Sequence, residues 1–293
     1  MNPSETFELS PEVVALGTRR SYIELGARDR ARQLLDPGTF RELLGPFDRL
    51  ESPWLPMQGI VPQSDDGCVV AKGAIGGKPA VAIALEGKFQ GGSIGEVCGM
   101  KIATALHLAR TDNEKGITTG AVLSVESGGV RLQEANMGEL VLAEIYAEIV
   151  ALRLHAPVIA VVAGMTGAFG GMSLATALCS HVVMTRQARL SMNGPEVIEL
   201  EAGVEELDAR DKPFIWSLCG GAQRFATGFA DRLVEDDAAQ VSAAVVDLLR
   251  QGVPEVFRTS MIDLFLSRLA ALDTGRQWTP GDIRETWAKG GAR

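Results

Sequence analysis

The 293-residue chain has only four cysteines, Cys68, Cys98, Cys179 and Cys219. No two are spaced as a C-x-x-C metal or redox motif, so they read as buried free thiols of a reducing compartment. Its three histidines, His107, His155 and His181, are scattered, and no H-E-x-x-H occurs, which argues against a metal site. A basic excess is missing too. The net charge of −9 excludes broad nucleic-acid binding but leaves room for a local basic patch toward a phosphorylated ligand. No apolar run approaches the ~20 residues of a membrane span. The start, Met1 to Glu8, lacks the basic-then-apolar order of a secretory leader, so a cytoplasmic location is expected. Gly77-Lys78 runs into Pro79 and Gly87-Lys88 into Phe89, so neither forms a phosphate-cradling loop. No G-x-G-x-x-G follows a strand pattern. Gly171-Met-Ser173-Leu-Ala175 misses the nucleophile-elbow pattern at its last position, and Ser173 reads as a small helix serine. His155 closes a helix and reads as a partner of its dipole rather than a proton donor.

What is abundant is glycine, 33 residues, in a chain of ordinary globular balance, 46% hydrophobic and 22% charged. Ser21-Tyr-Ile-Glu24 has the form of a capping box, predicting a helix to about Leu35 that Asp36-Pro37-Gly38 stops. Pro46 to Pro62 reads as irregular. Cys68–Ile75 and Ala80–Leu85 are apolar runs joined through Gly76-Gly77-Lys78, a hairpin signal. From there strand, glycine-rich loop and helix recur. Gly87–Gly95 leads into a helix ending near Arg110. Ala121–Val125 leads through Ser127-Gly128-Gly129 to a helix capped by Asn136 and running to about Leu154. Pro157–Ala163 leads through Gly164–Gly171 to a helix ending at Cys179. Val182–Thr185 and Leu190–Met192 read as short strands before a helix opening at Pro195. After Gly203 the pattern is mainly helical, with Asp236–Gln251 and Ser260–Leu272 the clearest segments. This is an α/β chain with a parallel component. Residues 1–293 read as one domain, with 204–293 a helical C-terminal region.

The glycine loops carry the chemistry. Each lies between a buried strand and a helix, where backbone N–H groups can point into a pocket. Glycine lets a ligand oxygen approach because no Cβ blocks it. Two such donors aimed at one developing oxyanion form an oxyanion hole, each worth ~3 kcal/mol. Gly170 and Gly171 in one loop, and Gly128 and Gly129 in another, are the expected catalytic donors. Valine at Gly171 is expected to fill the approach path while sparing the fold.

Phe89-Gln-Gly-Gly-Ser-Ile-Gly95, Met100-Lys101-Ile102, Ser127-Gly-Gly-Val-Arg-Leu-Gln-Glu134 and Gly167-Ala-Phe-Gly-Gly171 together resemble the carboxyltransferase family of the crotonase superfamily. Ala27–Asp36 and Gly38-Thr-Phe40 look like that family's opening helix, and the resemblance covers about residues 22 to 200. It implies a crotonase-like ββα superhelix, a thioester ligand on CoA or an acyl carrier protein, and an enolate held in an oxyanion hole. Glu126-Ser-Gly-Gly-Val-Arg131 with Gln133-Glu-Ala-Asn136 is similar to the β subunits of biotin-independent malonate decarboxylases. The zinc-ribbon cysteines of acetyl-CoA carboxylase β subunits are missing before Cys68.

That likeness implies a γ subunit of similar fold completing the site and an α subunit exchanging acetyl for malonyl. It also implies an acyl carrier protein with a CoA-derived prosthetic arm, with no biotin and no tightly bound cofactor. Substrate contacts are then expected from Ser127, Arg131, Gln133, Gly91, Gly92 and Ser93. Ser127, Gln133 and Glu134 are candidate proton donors. Arg131 and Glu134 either brace the loop as an ion pair or act directly. Arg28, Arg30 and Arg32 either reach carrier phosphates or form a solvated helix face. The same enolate hole would serve a biotin-dependent carboxyltransferase, and a non-catalytic carrier-docking subunit is a third reading. An enoyl-thioester hydratase is weaker, because no carboxylate pair stands near the second glycine loop.

Overall fold

A computed structural model describes residues 10–289 of the chain. The polar start, Met1 to Glu8, lies outside the described residues. Seven strands form one sheet whose spatial order follows the chain. They are β1 Arg41–Leu43, β2 Cys68–Ile75, β3 Lys78–Leu85, β4 Gly120–Val125, β5 Val158–Val162, β6 His181–Thr185 and β7 Arg232–Val234. β1/β2 and β2/β3 pair antiparallel, and each later pair is parallel. The expected hairpin joins β2 to β3. Gly76 and Gly77 turn it with φ of 57° and 77°, the two left-handed residues that a tight twisted hairpin needs. The Asp36 carboxylate accepts both of their N–H groups, at 2.9 and 2.8 Å.

The helices are α1 Pro11–Thr18, α2 Ala27–Leu34, α3 Glu96–Glu114, α4 Met137–Leu152, α5 Gly171–Leu178, α6 Pro195–Ala202, α7 Lys212–Cys219, α8 Gly221–Ala226, α9 Ala238–Gln251, α10 Ile262–Ala270 and α11 Pro280–Lys289. β4, β5 and β6 are buried along their whole length, as parallel strands covered on both faces must be. Alternation along β3 divides the core. Val81, Ile83 and Leu85 face α3, α4 and α5, packing with Ile102, Leu106, Ile145 and Met172. Ala80, Ala82 and Ala84 face α2 and α9, with Ala31, Leu34, Val241 and Val245. The small side chains on that face let α2 lie close against β3.

Beyond each central strand the chain makes a second, one-residue bridge before it enters a helix. Ile94 pairs with Val130, Ser127 with Ala168, and Ala168 with Leu190, all parallel. Strand, bridge and helix thus repeat as the turns of a ββα superhelix, as the motifs implied. Leu190–Met192 is therefore not a separate strand; it contributes the single bridge at Leu190.

Other local expectations shift. Ser21 Oγ does accept the Glu24 N–H at 3.2 Å, but Gly26 is extended there (φ −68°, ψ 163°) and α2 starts only at Ala27. The Glu86 carboxylate receives the Ala27 N–H at 3.1 Å. α3 runs on to Glu114, past the expected end near Arg110. In the C-terminal region, Asp237 caps α9 through the Ala239 N–H at 3.0 Å. The segment expected over Ser260–Leu272 is α10 after a 3₁₀ turn. β7 interrupts the helical run, and α7, α8 and α11 add to it. No described helix is long and apolar enough to cross a membrane.

Candidate active site

The loops at the C-terminal ends of β3, β4 and β5 converge, with the β4 loop zipped between the other two. Gly128 N–H donates to Gly91 O at 3.0 Å, and Ile94 N–H to Gly129 O at 2.8 Å. On the other side Ser127 N–H donates to Gly167 O at 2.8 Å, and Phe169 N–H to Ser127 O at 2.9 Å. Glycine is required where backbones touch. Gly129 (φ 115°) and Gly170 (φ 54°) meet face to face, and a Cβ on Gly170 would stand 3.1 Å from Gly129 Cα.

These bonds revise the donor assignment. Of the four expected catalytic N–H groups, three are engaged inside the protein. Gly128 donates to Gly91 O, Gly129 to Ser127 Oγ at 3.1 Å, and Gly170 to Met192 O at 2.7 Å. Gly171 opens α5, and its N–H has no protein acceptor among the described residues, as a first helical turn dictates. Val130 is in the same state. Its neighbours Gly129 O and Arg131 N–H bond to Ile94, so Val130 turns its own N–H the other way, toward the second loop. Sequence reasoning missed Val130 because the signal is a ladder alternation rather than a residue type. The expectation for valine at Gly171 also fails. A Cβ there would run into Leu142 Cδ1 and stand 2.9 Å from Tyr146 Oη, inside the contact with α4 rather than in an approach path. Tyr146 Oη donates to Gly171 O at 2.7 Å and fixes that turn.

Two buried ion pairs support the loops from behind. Glu126, 8% exposed, pairs with Arg30, 2% exposed, and also accepts the Thr166 N–H at 3.3 Å. Arg131, 1% exposed, bonds Asp66 Oδ1 at 2.7 Å, Glu134 Oε1 at 3.0 Å and Ser93 O at 3.0 Å. Glu134 in turn accepts the Glu96 N–H at 2.7 Å and the Ser52 hydroxyl at 2.6 Å. Burial pushes the Asp66 carboxyl up, and the facing Arg131 opposes that shift. Burial works against the Arg131 charge, but Asp66 and Glu134 hold the guanidinium protonated above its usual range.

Several expected substrate contacts therefore belong to the scaffold. Arg131 and Glu134 form the bracing ion pair. Ser127 is fully buried and accepts the Gly129 N–H. Ser93 receives Arg131, and Gly92 is buried against the Glu126 carbonyl, where no Cβ would fit. Gln133 and Gly91 are exposed. Of the three α2 arginines, Arg30 is the buried partner of Glu126. Arg28 pairs with Glu42 and Asp65 at 2.7 and 3.1 Å, and Arg32 pairs with Asp29 on the solvated face.

A groove of about 450 Å³ opens beside Gly128 and Phe169, with Arg189 and Glu196 on its wall. The arrangement offers neutral backbone donors at the contact of two loops, next to an accessible groove. Among the described residues no cluster of His, Cys, Asp and Glu could hold a metal ion.

This ββα superhelix, with its glycine loops meeting at the ends of the parallel strands, has the crotonase-like fold of carboxyltransferases. Residues 24–255 match the carboxyl transferase domain family, and the chain belongs to it. Malonyl-S-ACP:biotin-protein carboxyltransferase MADC of Malonomonas rubra is 34% identical over 93% of this chain and 90% of its own length. A chain of the Pseudomonas malonate decarboxylase hetero-tetramer, crystallised with malonate, superposes with a TM-score of 0.91 at 55% identity. The match covers 94% of this chain and 99% of that one. A chain of the Pseudomonas malonate decarboxylase MdcD-MdcE hetero-dimer gives a TM-score of 0.73 at 49% identity, covering 87% and 98%.

Proposed function

We propose that this chain is a subunit of a malonate decarboxylase that converts a malonyl thioester, carried on an acyl carrier protein, to the acetyl thioester. The observation that carries the reading is the pair of unengaged N–H groups, Val130 and Gly171, at the contact of the two loops. Loss of CO2 from a malonyl thioester leaves an electron pair that delocalises onto the thioester oxygen. Fixed N–H dipoles stabilise that charge without reorganising, and removing one such donor typically lowers kcat by ~10²–10³. The carbanion carbon then takes a proton. Ser127 and Glu134 are bound within the scaffold and the exposed Gln133 carries only an amide, which is no acid, so water entering the groove supplies the proton. The similarity to malonate decarboxylase chains at 55% and 49% identity supports the substrate class and a hetero-oligomeric assembly. The partner is a subunit of similar fold, and an acyl-transfer subunit loads malonyl onto the CoA-derived arm of the carrier.

The test is CO2 release from malonyl thioester by the chain assembled with its partner, without biotin and with avidin present. Conversion to acetyl thioester, read by mass spectrometry and indifferent to avidin, is expected. A second reading has one specific support: the Malonomonas relative is named for transfer to a biotin protein. Activity abolished by avidin and restored by a biotinylated carrier would establish that transferase and overturn the decarboxylase reading.

A further inference from the structure

Arg189 lies between β6 and α6, in the wall of the groove that Gly128 and Phe169 also line. Its guanidinium is held rigidly. Nη2 donates to Met165 O at 2.7 Å and Thr166 O at 3.3 Å, both in the second glycine loop. The guanidinium carbon sits 5.5 Å from the centre of the Phe169 ring and 4.9 Å from that of Trp216. Trp216 is itself fixed, its indole N–H donating to Gln187 O at 2.9 Å. Nε is buried and bonds nothing, and Nη1 has no hydrogen-bond partner among the described residues. Glu196 is the other charged residue lining the groove. It forms no ion pair with Arg189, whose polar partners are neutral carbonyls.

The result is a positive charge that forms no ion pair among the described residues, held against two rings beside the glycine loops. Arg28, Arg30 and Arg131 each face a carboxylate, whereas Arg224, which donates to Leu190 O at 2.7 Å, forms no ion pair among the described residues either. In Arg189, Nη1 is left free for a ligand oxygen. The rings and carbonyls have already removed the rotamer freedom that binding would otherwise cost, and a planar guanidinium suits carboxylate or phosphate oxygens.

We infer that Arg189 is a specificity-determining residue that binds an anionic oxygen group of the thioester ligand. The group is either the carboxylate of the malonyl unit or a phosphate of the arm that carries it. The inference rests on the malonyl-thioester reading above.

The experiment uses the assembled enzyme with Arg189→Met and Arg189→Lys, and three small ligands. Malonyl-CoA carries both anionic groups, malonyl-N-acetylcysteamine only the carboxylate, and acetyl-CoA, tested as a competing inhibitor, only the phosphates. In Arg189→Met the KM for malonyl-CoA rises by roughly tenfold or more, since a charge-assisted bond is lost, while kcat falls less than about threefold. Arg189→Lys recovers part of the affinity. An equal rise for the truncated substrate, with unchanged acetyl-CoA inhibition, identifies the carboxylate. Weakened acetyl-CoA inhibition, with an unchanged KM for the truncated substrate, identifies the phosphate. Unchanged affinity for all three ligands overturns the inference. So does a fall in kcat alone with a lowered melting temperature, which would mark Arg189 as a loop brace. If the wild-type enzyme releases no CO2, the functional reading fails by itself. Calorimetric binding of malonyl-CoA to wild type and Arg189→Met then still decides the role of Arg189.

Discussion

Gly170→Ala separates the geometry of the two loops from the stability of the chain. Gly170 has φ 54° and ψ −137°, a region that L residues rarely enter. Forcing alanine into it costs about 1–3 kcal/mol. The new Cβ would also stand 3.1 Å from Gly129 Cα, tighter than ordinary van der Waals contact, so the loops must part by a few tenths of an ångström. Val130 and Gly171 directly follow the two touching glycines, so their N–H groups move apart with them. A 1 Å misplacement of a catalytic group can cost ~10²-fold, so a displacement of this size should lower kcat by about tenfold. Gly203→Ala is the control. Gly203 also has a positive φ, 95°, but open space where a Cβ would go. It should lose a similar stability and keep its kcat. Urea midpoints and steady-state decarboxylation of malonyl thioester by the assembled enzyme measure both effects. Wild-type kcat in Gly170→Ala, or an equal loss in Gly203→Ala, would refute the reasoning.

Arg131→Met leaves Asp66 and Glu134 facing each other unpaired in the interior and should destabilise the chain by about 3–5 kcal/mol in denaturant titration. Burial already pushes the Asp66 carboxyl up and Arg131 no longer opposes it, so its protonation should relieve part of that loss as pH falls. Tyr146→Phe removes the 2.7 Å hydroxyl bond to Gly171 O and should cost about 1 kcal/mol, with a small drop in kcat and little change in KM. Tyr22, fully buried, has its hydroxyl pushed up to about 12 from 10.0, chiefly by burial. The folded state therefore holds this proton more tightly than the unfolded state, and stability falls as pH rises from 10 to 12, by about 2 kcal/mol at the top. Tyr22→Phe should flatten that alkaline decline in urea midpoints, after a cost near neutral pH from the lost 3.0 Å bond to Ser124.

The main frame of the fold was legible because its signals are local. The apolar runs Cys68–Ile75 and Ala80–Leu85, glycine pairs after buried runs and the periodic helix after Asn136 all follow from nearest-neighbour chemistry. β1 and β7 were not legible, since three residues carry no usable period. The capping box at Ser21 was real as a turn but misplaced the helix, because Glu86, distant in sequence, caps α2 instead. In the candidate site, residue types pointed to loops that do converge, but not to which of their N–H groups stay open. Which N–H groups remain open depends on Gly91 and Met192, carbonyls brought in by other turns of the superhelix. Arg30 looked like a surface charge on a polar helix, and only the position of Glu126 beneath it makes it a buried support. Arg189 had no distinguishing signal beyond being one cation between Ala188 and Leu190.

A sheet whose spatial order matches its chain order also has a consequence in time. Each strand docks on one made just before it, so the pairings stay short in sequence and their loop-closure entropy stays small. The turns that supply the glycine loops come from β3 through α5, and the C-terminal helices arrive later. During synthesis, the two glycine loops should meet before the last third of the chain has left the ribosome. Protection of the β3–β5 amides on stalled nascent chains long enough for α5 to have cleared the exit tunnel, measured by hydrogen exchange, would register that order.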